Sequence, residues 1–278
     1  MLRRRGTLGS ALALAALVGG YLIATVGGAA ATSVAGFAHQ TMVPARAGLL
    51  PRSNATVTSL NWSGYADLPA SGQSVTGVTG HWVVPTAGLA PPGFSAMWTG
   101  IGGYNSTDLI QAGTSEDTLP IGGPQYFAWY EILPASETQL TGCSGDANCT
   151  VTPGDVMSVD IHNAGGNTWQ INMSDSGRWT YSNTLTYAST ESSAEWILEA
   201  PTLVAQTVLA NVGTTTFDPN NSFAINGGAA QTIASGNPVT IDLGVVGPVN
   251  EAIPSALDSD GDGFNDCAYA LTCAAPAS

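Results

Sequence analysis

The chain has 278 residues, no lysine, six arginines and twenty aspartates and glutamates, for a formal net charge of −14 at pH 7. Five arginines lie at or before residue 52 and every acid lies after residue 60, so Arg178 alone faces twenty carboxylates in the rest of the chain. A surface of that sign repels nucleic acid and anionic membrane and excludes both as partners. In acid its carboxylates protonate and the self-repulsion fades, which suits an acidic working environment as well as it suits a generally acidic secreted protein.

Residues 1–31 read as a secretory signal peptide. Met1-Leu2-Arg3-Arg4-Arg5 is followed by an apolar run from Ala11 to Val26 and by small residues from Gly27 to Ala31. Cleavage is expected near Ala30–Thr32, giving an extracellular protein with no stable membrane association. A retained N-terminal anchor is the alternative, because the run is long. Residues 32–57 hold Ala, Thr, Ser and Pro with Arg46 and Arg52. They read as a flexible leader or short pro-segment rather than core.

The main domain, residues 58–278, opens with Leu60-Asn61-Trp62-Ser63-Gly64-Tyr65-Ala66. Strands are predicted at Gly80–Pro85, Ser95–Ile101, Asp108–Ala112, Tyr126–Leu133, Val156–His162, Thr168–Met173, Trp179–Thr186, Ala194–Ala200, Val208–Phe217, Ser222–Ile225 and Ile253–Leu257. The turns between them carry Gly, Pro, Asn and Asp. No long stretch has a helical period. Many short antiparallel strands in one domain of this size read as an all-β fold of two stacked sheets, and a monomer is expected. In an exported chain the four cysteines are expected as two local disulfides, Cys143–Cys149 and Cys267–Cys273. Zinc fits poorly, because neither pair has a histidine close by.

Ser193-Ala194-Glu195-Trp196-Ile197-Leu198-Glu199 carries a carboxylate in the middle of an apolar strand. Period two puts Glu195, Ile197 and Glu199 on one face and Ala194, Trp196 and Leu198 on the other. Few other groups can do chemistry. Downstream of the leader only His81 and His162 remain, neither in a nucleophile motif, and both read as ordinary strand-face residues. Glycoside hydrolysis needs two carboxyls ~5–9.5 Å apart. Glu195 and Glu199 are separated by roughly 13 Å of strand, which leaves Glu131 as a partner from elsewhere. Asp258, Asp260, Asp262 and Asp266 have the alternate spacing of a calcium loop, but Tyr269 stands where a bidentate Glu belongs. An acidic hairpin turn explains them equally well. Gln111, in Asp108-Leu109-Ile110-Gln111-Ala112-Gly113, is costly if buried unbonded.

These segments, taken in order, resemble the glutamic peptidase (eqolisin) family. The resemblance rests on Asn61-Trp62-Ser63-Gly64, His81-Trp82-Val83-Val84-Pro85, Trp98-Thr99-Gly100-Ile101-Gly102-Gly103, Leu109-Ile110-Gln111-Ala112-Gly113, Ala128-Trp129-Tyr130-Glu131 and Ala194-Glu195-Trp196-Ile197-Leu198-Glu199. It is strong over residues 60–217 and looser to about 265. It implies a β-sandwich of two antiparallel sheets, concanavalin A-like or jelly-roll-like, and acid endopeptidase chemistry on peptide substrates by a Gln–Glu dyad. The dyad matches Gln111 and Glu195, and the substrate cleft matches Trp98, Trp129 and Glu131. No metal or cofactor is implied. The chain departs at Gly102, where better-known fungal members carry an aspartate, and at Leu133, where they carry a tyrosine. Those departures touch substrate recognition more than the dyad. A non-catalytic sandwich that binds glycans or cell-wall polymer is the alternative, and the intact pair Gln111 and Glu195 speaks against it.

Overall fold

The computed structural model describes residues 56–202, 207–244 and 250–278. The signal peptide and all but the last two residues of the expected leader lie outside the described residues. No helix among the described residues is long and apolar enough to cross a membrane.

The described chain is all-β apart from one 3-10 turn, Ile233–Ser235. In order the strands are β1 (Thr56–Ser59), β2 (Trp62–Asp67), β3 (Val75–Val83), β4 (Ala96–Gly102), β5 (Leu109–Leu119), β6 (Gly123–Ile132), β7 (Thr138–Gln139), β8 (Val156–Gly165) and β9 (Thr168–Asp175). There follow β10 (Trp179–Thr186), β11 (Ala194–Glu199), β12 (Thr214–Phe217), β13 (Ser222–Ile225), β14 (Ala230–Thr232), β15 (Pro238–Gly244), β16 (Asn250–Pro254) and β17 (Phe264–Ala268). They form an antiparallel β-sandwich. The first sheet runs β7-β6-β5-β4-β11-β2-β15, with β1 added in parallel at the edge. The second runs β10-β9-β8-β3, continues through β12 and β13, and reaches β17 and β16. Pairing of β15 with β16 joins the two.

Alternation along the strands builds two apolar layers. Between the sheets lie Trp82, Met97, Ile110, Val159, Ile161, Trp196, Leu198 and Phe217. On the other face of the first sheet, here called its front, Trp62, Trp98, Tyr104, Leu109, Trp129, Ile197 and Ile241 form a second cluster. Strand β11 is therefore buried on both faces, with Trp196 and Leu198 in one layer and Ile197 in the other, as its period-two pattern predicts. Both expected disulfides are present, Cys143–Cys149 and Cys267–Cys273.

Most predicted strands stand, and β3, β5, β6, β8 and β9 are longer than expected. Of Val208–Phe217 only Thr214–Phe217 is a strand, and Leu209 makes a single bridge to Phe94. The strand expected at Ile253–Leu257 sits earlier, at Asn250–Pro254. Strands β1, β2, β7, β14, β15 and β17 were not predicted. Strands β1, β2, β15 and β17 carry Ser, Gly, Asp, Asn or a leading Pro, and β7 and β14 are only two and three residues long; tertiary pairing overrides such weak local signals.

Candidate active site

The register of four neighbouring strands assembles one row across the front face. Glu195 of β11 stands opposite Gly100 of β4, Gly100 opposite Gln111 of β5, and Gln111 opposite Glu131 of β6. Residues directly opposite on one face are the closest cross-strand neighbours. The acid and the amide of the expected dyad thus flank a strand position that has no side chain. A methyl group on Gly100 would meet Ile110 O at 2.9 Å and Gln111 Cβ at 3.1 Å. Glycine there keeps the space between Glu195 and Gln111 clear. The next row along carries Ile197, Trp98, Gly113 and Trp129 in the same order.

Each polar side chain in this layer is buried, and its bonding decides what it can do. Gln111 Nε2 donates to Glu131 Oε2 at 2.7 Å, which leaves Gln111 Oε1 without a partner. Trp98 Nε1 donates to Glu199 Oε2 at 2.8 Å, and Asn61 Nδ2 donates to Glu199 Oε1 at 3.1 Å. Trp62 meets Trp98 edge-on, with ring centroids 4.9 Å apart. Neither oxygen of Glu195 makes a hydrogen bond, and the same holds for Trp62 Nε1, Tyr104 OH and Trp129 Nε1. Buried polar groups without partners are rare and costly. Here five residues on one face, Trp62, Tyr104, Gln111, Trp129 and Glu195, carry them.

The expected environment of Glu195 needs correction. A hydrogen bond from the Gln111 amide to the charged carboxylate, as the expected dyad suggests, would hold the Glu195 pKa at or below that of a free Glu. The Gln111 amide is given to Glu131 instead. Burial pushes the Glu195 carboxyl well above the ordinary glutamate value, and the nearby charge of Asp108 pushes the same way. The Ser193 hydroxyl and the Tyr104 backbone N–H lie near enough to offset part of this, although neither forms a hydrogen bond with it.

All five expected site residues, Gln111, Glu195, Trp98, Trp129 and Glu131, lie on the front face. Sequence reasoning missed the bonding of Asn61 and Glu199 to Trp98, and missed Tyr104. Glu199 had been placed on the face of Glu195, which was the available signal. The calcium candidates are not brought together as a set. Asp258 and Asp262 sit with Asp218 of the β12–β13 turn, their oxygens within 4.8 Å of one another. Asp258 Oδ1 also accepts from the backbone N–H groups of Gly261, Asp262 and Gly263, the bonding of a tight turn. Asp260 is exposed. Asp266 instead points into the sandwich, where it is buried and accepts from Ser63 Oγ at 2.8 Å.

This antiparallel β-sandwich is the fold of the eqolisins. Residues 60–244 match the Peptidase A4 family, and the chain belongs to that family. Among solved structures it is similar to scytalido-glutamic peptidase with a transition-state analogue inhibitor, at 17% identity and a TM-score of 0.57, over 75% of this chain and 98% of that one. It is also similar to SCP-B, an eqolisin in complex with the tripeptide Ala-Ile-His, at 15% identity and a TM-score of 0.56, over 75% of this chain and 98% of that one. No curated protein matches the sequence.

Proposed function

We propose that this peptidase is a secreted, monomeric glutamic endopeptidase that works in acid without a metal, with Glu195 and Gln111 as its catalytic residues. The observation that carries the reading is the row Glu195–Gly100–Gln111–Glu131. An acid with both oxygens unbonded and an amide with a free carbonyl oxygen face one cleared strand position. Glu195, as carboxylate, takes a proton from a water, and that water attacks the scissile carbonyl carbon. The proton then passes from Glu195 to the leaving nitrogen as the C–N bond breaks. Gln111 Oε1 accepts a hydrogen bond from the attacking water. One amide N–H is held by Glu131, which fixes the plane of the amide. The other is free to donate to the oxygen that develops negative charge.

The unpartnered Trp62 Nε1, Trp129 Nε1 and Tyr104 OH suit a peptide, whose carbonyls would accept from them. The family's match and the tripeptide bound by SCP-B support a peptide as the ligand of this face. The test is hydrolysis of denatured protein at acid pH by wild type, Glu195→Gln and Gln111→Ala, each checked for folding. Glu195→Gln keeps the shape, removes the base and should abolish turnover. Gln111→Ala should cost about 10²–10³ in kcat. A folded Glu195→Gln protein as fast as wild type would sink the dyad and make Glu131 or Glu199 the next carboxyl to test.

A further inference from the structure

Gly102 stands where fungal members of the resembled family carry an aspartate, and the space beside it is filled. Its φ is +90°, and a methyl group there would stand 2.7 Å from the backbone oxygen of Asp108 and 3.2 Å from Asp108 Oδ2. A side chain at 102 would meet the Asp108 backbone and crowd the Asp108 carboxylate. Asp108 in turn straps the segment before β11 to the edge of the front face. Thr190 N donates to Asp108 Oδ2 at 2.6 Å, Thr190 Oγ1 donates to Oδ1 at 2.9 Å, and Ser189 Oγ donates to Oδ2 at 3.2 Å. Three more bonds tie the same two segments. Leu109 N donates to Tyr187 OH at 2.8 Å, Ser192 Oγ donates to Ser106 Oγ at 3.3 Å, and Gly102 N donates to Ser193 O at 3.0 Å. Ser193 is two residues from Glu195, so this joint fixes the end of β11 that presents the acid.

We infer that Asp108 is a positioning residue for Glu195. It is a fixed anion in the space a residue-102 side chain would need, and it sets both the placement of β11 and the charge beside the reacting carboxyl. The inference rests on the assignment of Glu195 as base. Despite partial burial, its hydrogen bonds hold the Asp108 carboxyl below the usual aspartate range, so it stays charged through mild acid. Among the described residues, strand alternation also places Asp117 of β5, Glu131 of β6 and Glu199 of β11 on the front face, with Tyr104 before β5 in the same layer. Asp108 acts from the β4–β5 loop.

The experiment is the pH dependence of kcat/KM on a peptide substrate for wild type, Glu195→Gln, Asp108→Asn, Asp108→Glu and Thr190→Val. Removing an anion beside a carboxyl lowers its pKa, so the acid limb of Asp108→Asn should move to lower pH. Asp108→Glu, which restores the charge, should return the limb towards wild type. Thr190→Val should lower the rate and leave the limb in place, because the charge remains. Asp108→Ser removes the same charge with a smaller side chain and replaces Asp108→Asn if that variant does not fold. A folded neutral variant whose limb coincides with wild type overturns the inference, even if it is slow, because a purely structural joint predicts that result. An active Glu195→Gln protein would instead overturn the assignment of the base, so the two failures are distinguishable.

Discussion

Asp67 offers the sharpest test of how this fold handles its acids. It ends β2, is 1% exposed, and stands opposite Ala194 of β11 and Pro238 of β15. Its Oδ1 accepts from Asn237 N at 2.6 Å, while Oδ2 has no partner. Burial pushes its pKa from 3.8 up to about 7, against the opposing pull of the Asn237 and Leu68 amides. A folded pKa above the unfolded one means that the native state holds the proton more tightly. Its contribution to stability is complete below about pH 4 and is lost as pH rises to about 7. A shift of roughly three units corresponds to on the order of 4 kcal/mol. Asp67→Asn keeps an acceptor for Asn237 and cannot ionise. At pH 4 the two proteins should agree within about 1 kcal/mol. At pH 7.5 the variant should be more stable by up to about 4 kcal/mol. Urea titrations at pH 4, 5.5 and 7.5, with disulfides intact and slopes compared, measure this directly. A difference that does not change with pH, or that favours wild type as pH rises, would refute the reasoning.

Glu199→Gln retains one acceptor for the pair Trp98 and Asn61 but loses the charge. It should lower stability by about 1.5–3 kcal/mol and raise KM more than it lowers kcat, as steady-state kinetics on a folded variant would show. The wild-type acid limb should lie above the pKa of a free glutamate, because burial raises Glu195; a limb at or below about 4.3 would mean that the working site is more solvated or better bonded. The secreted chain should begin between Thr32 and Thr58, which N-terminal sequencing checks; a chain still starting at Met1 would mark a membrane anchor.

The sequence made strand faces readable where alternation is strong. Glu195, Ile197 and Glu199 are separated correctly from Trp196 and Leu198 because period two follows from the pleat alone. The row that joins Glu195 to Gln111 is another matter. It depends on β11 lying between β2 and β4, and no local pattern encodes that non-local pairing. Gly100 is then just one of many glycines, although it is the position that clears the middle of the row. The strength of Gln111's bond to Glu131 was likewise out of reach, since it depends on the β5–β6 register and on which rotamer meets across it. Strand β17 was hidden by composition. Phe264-Asn265-Asp266-Cys267-Ala268 reads as the tail of an acidic loop until Ser63 is known to face Asp266.

The acidity of the chain acts differently from what its surface charge suggests. Repulsion among exposed carboxylates is screened by salt and spread over many groups. The buried acids are neither. Asp67, Glu195 and Asp266 are each raised chiefly by burial. Arg178 is the one Lys or Arg after residue 52, and it is spent on Asp155 and Asp175. Even there burial and the neighbouring Asp155 charge outweigh the guanidinium, and Asp175 is raised to about 6. A fold that encloses carboxyls with so little cationic charge holds them most cheaply in the protonated form. Protonated Asp67 and Asp266 stabilise the sandwich, whereas a protonated Glu195 would not serve as the proposed base. The two demands pull in opposite directions along the pH axis. The expected bell of activity is therefore bounded below by Glu195 and above by loss of the sandwich. Neutralising Asp67 should move the upper bound and leave the lower one alone.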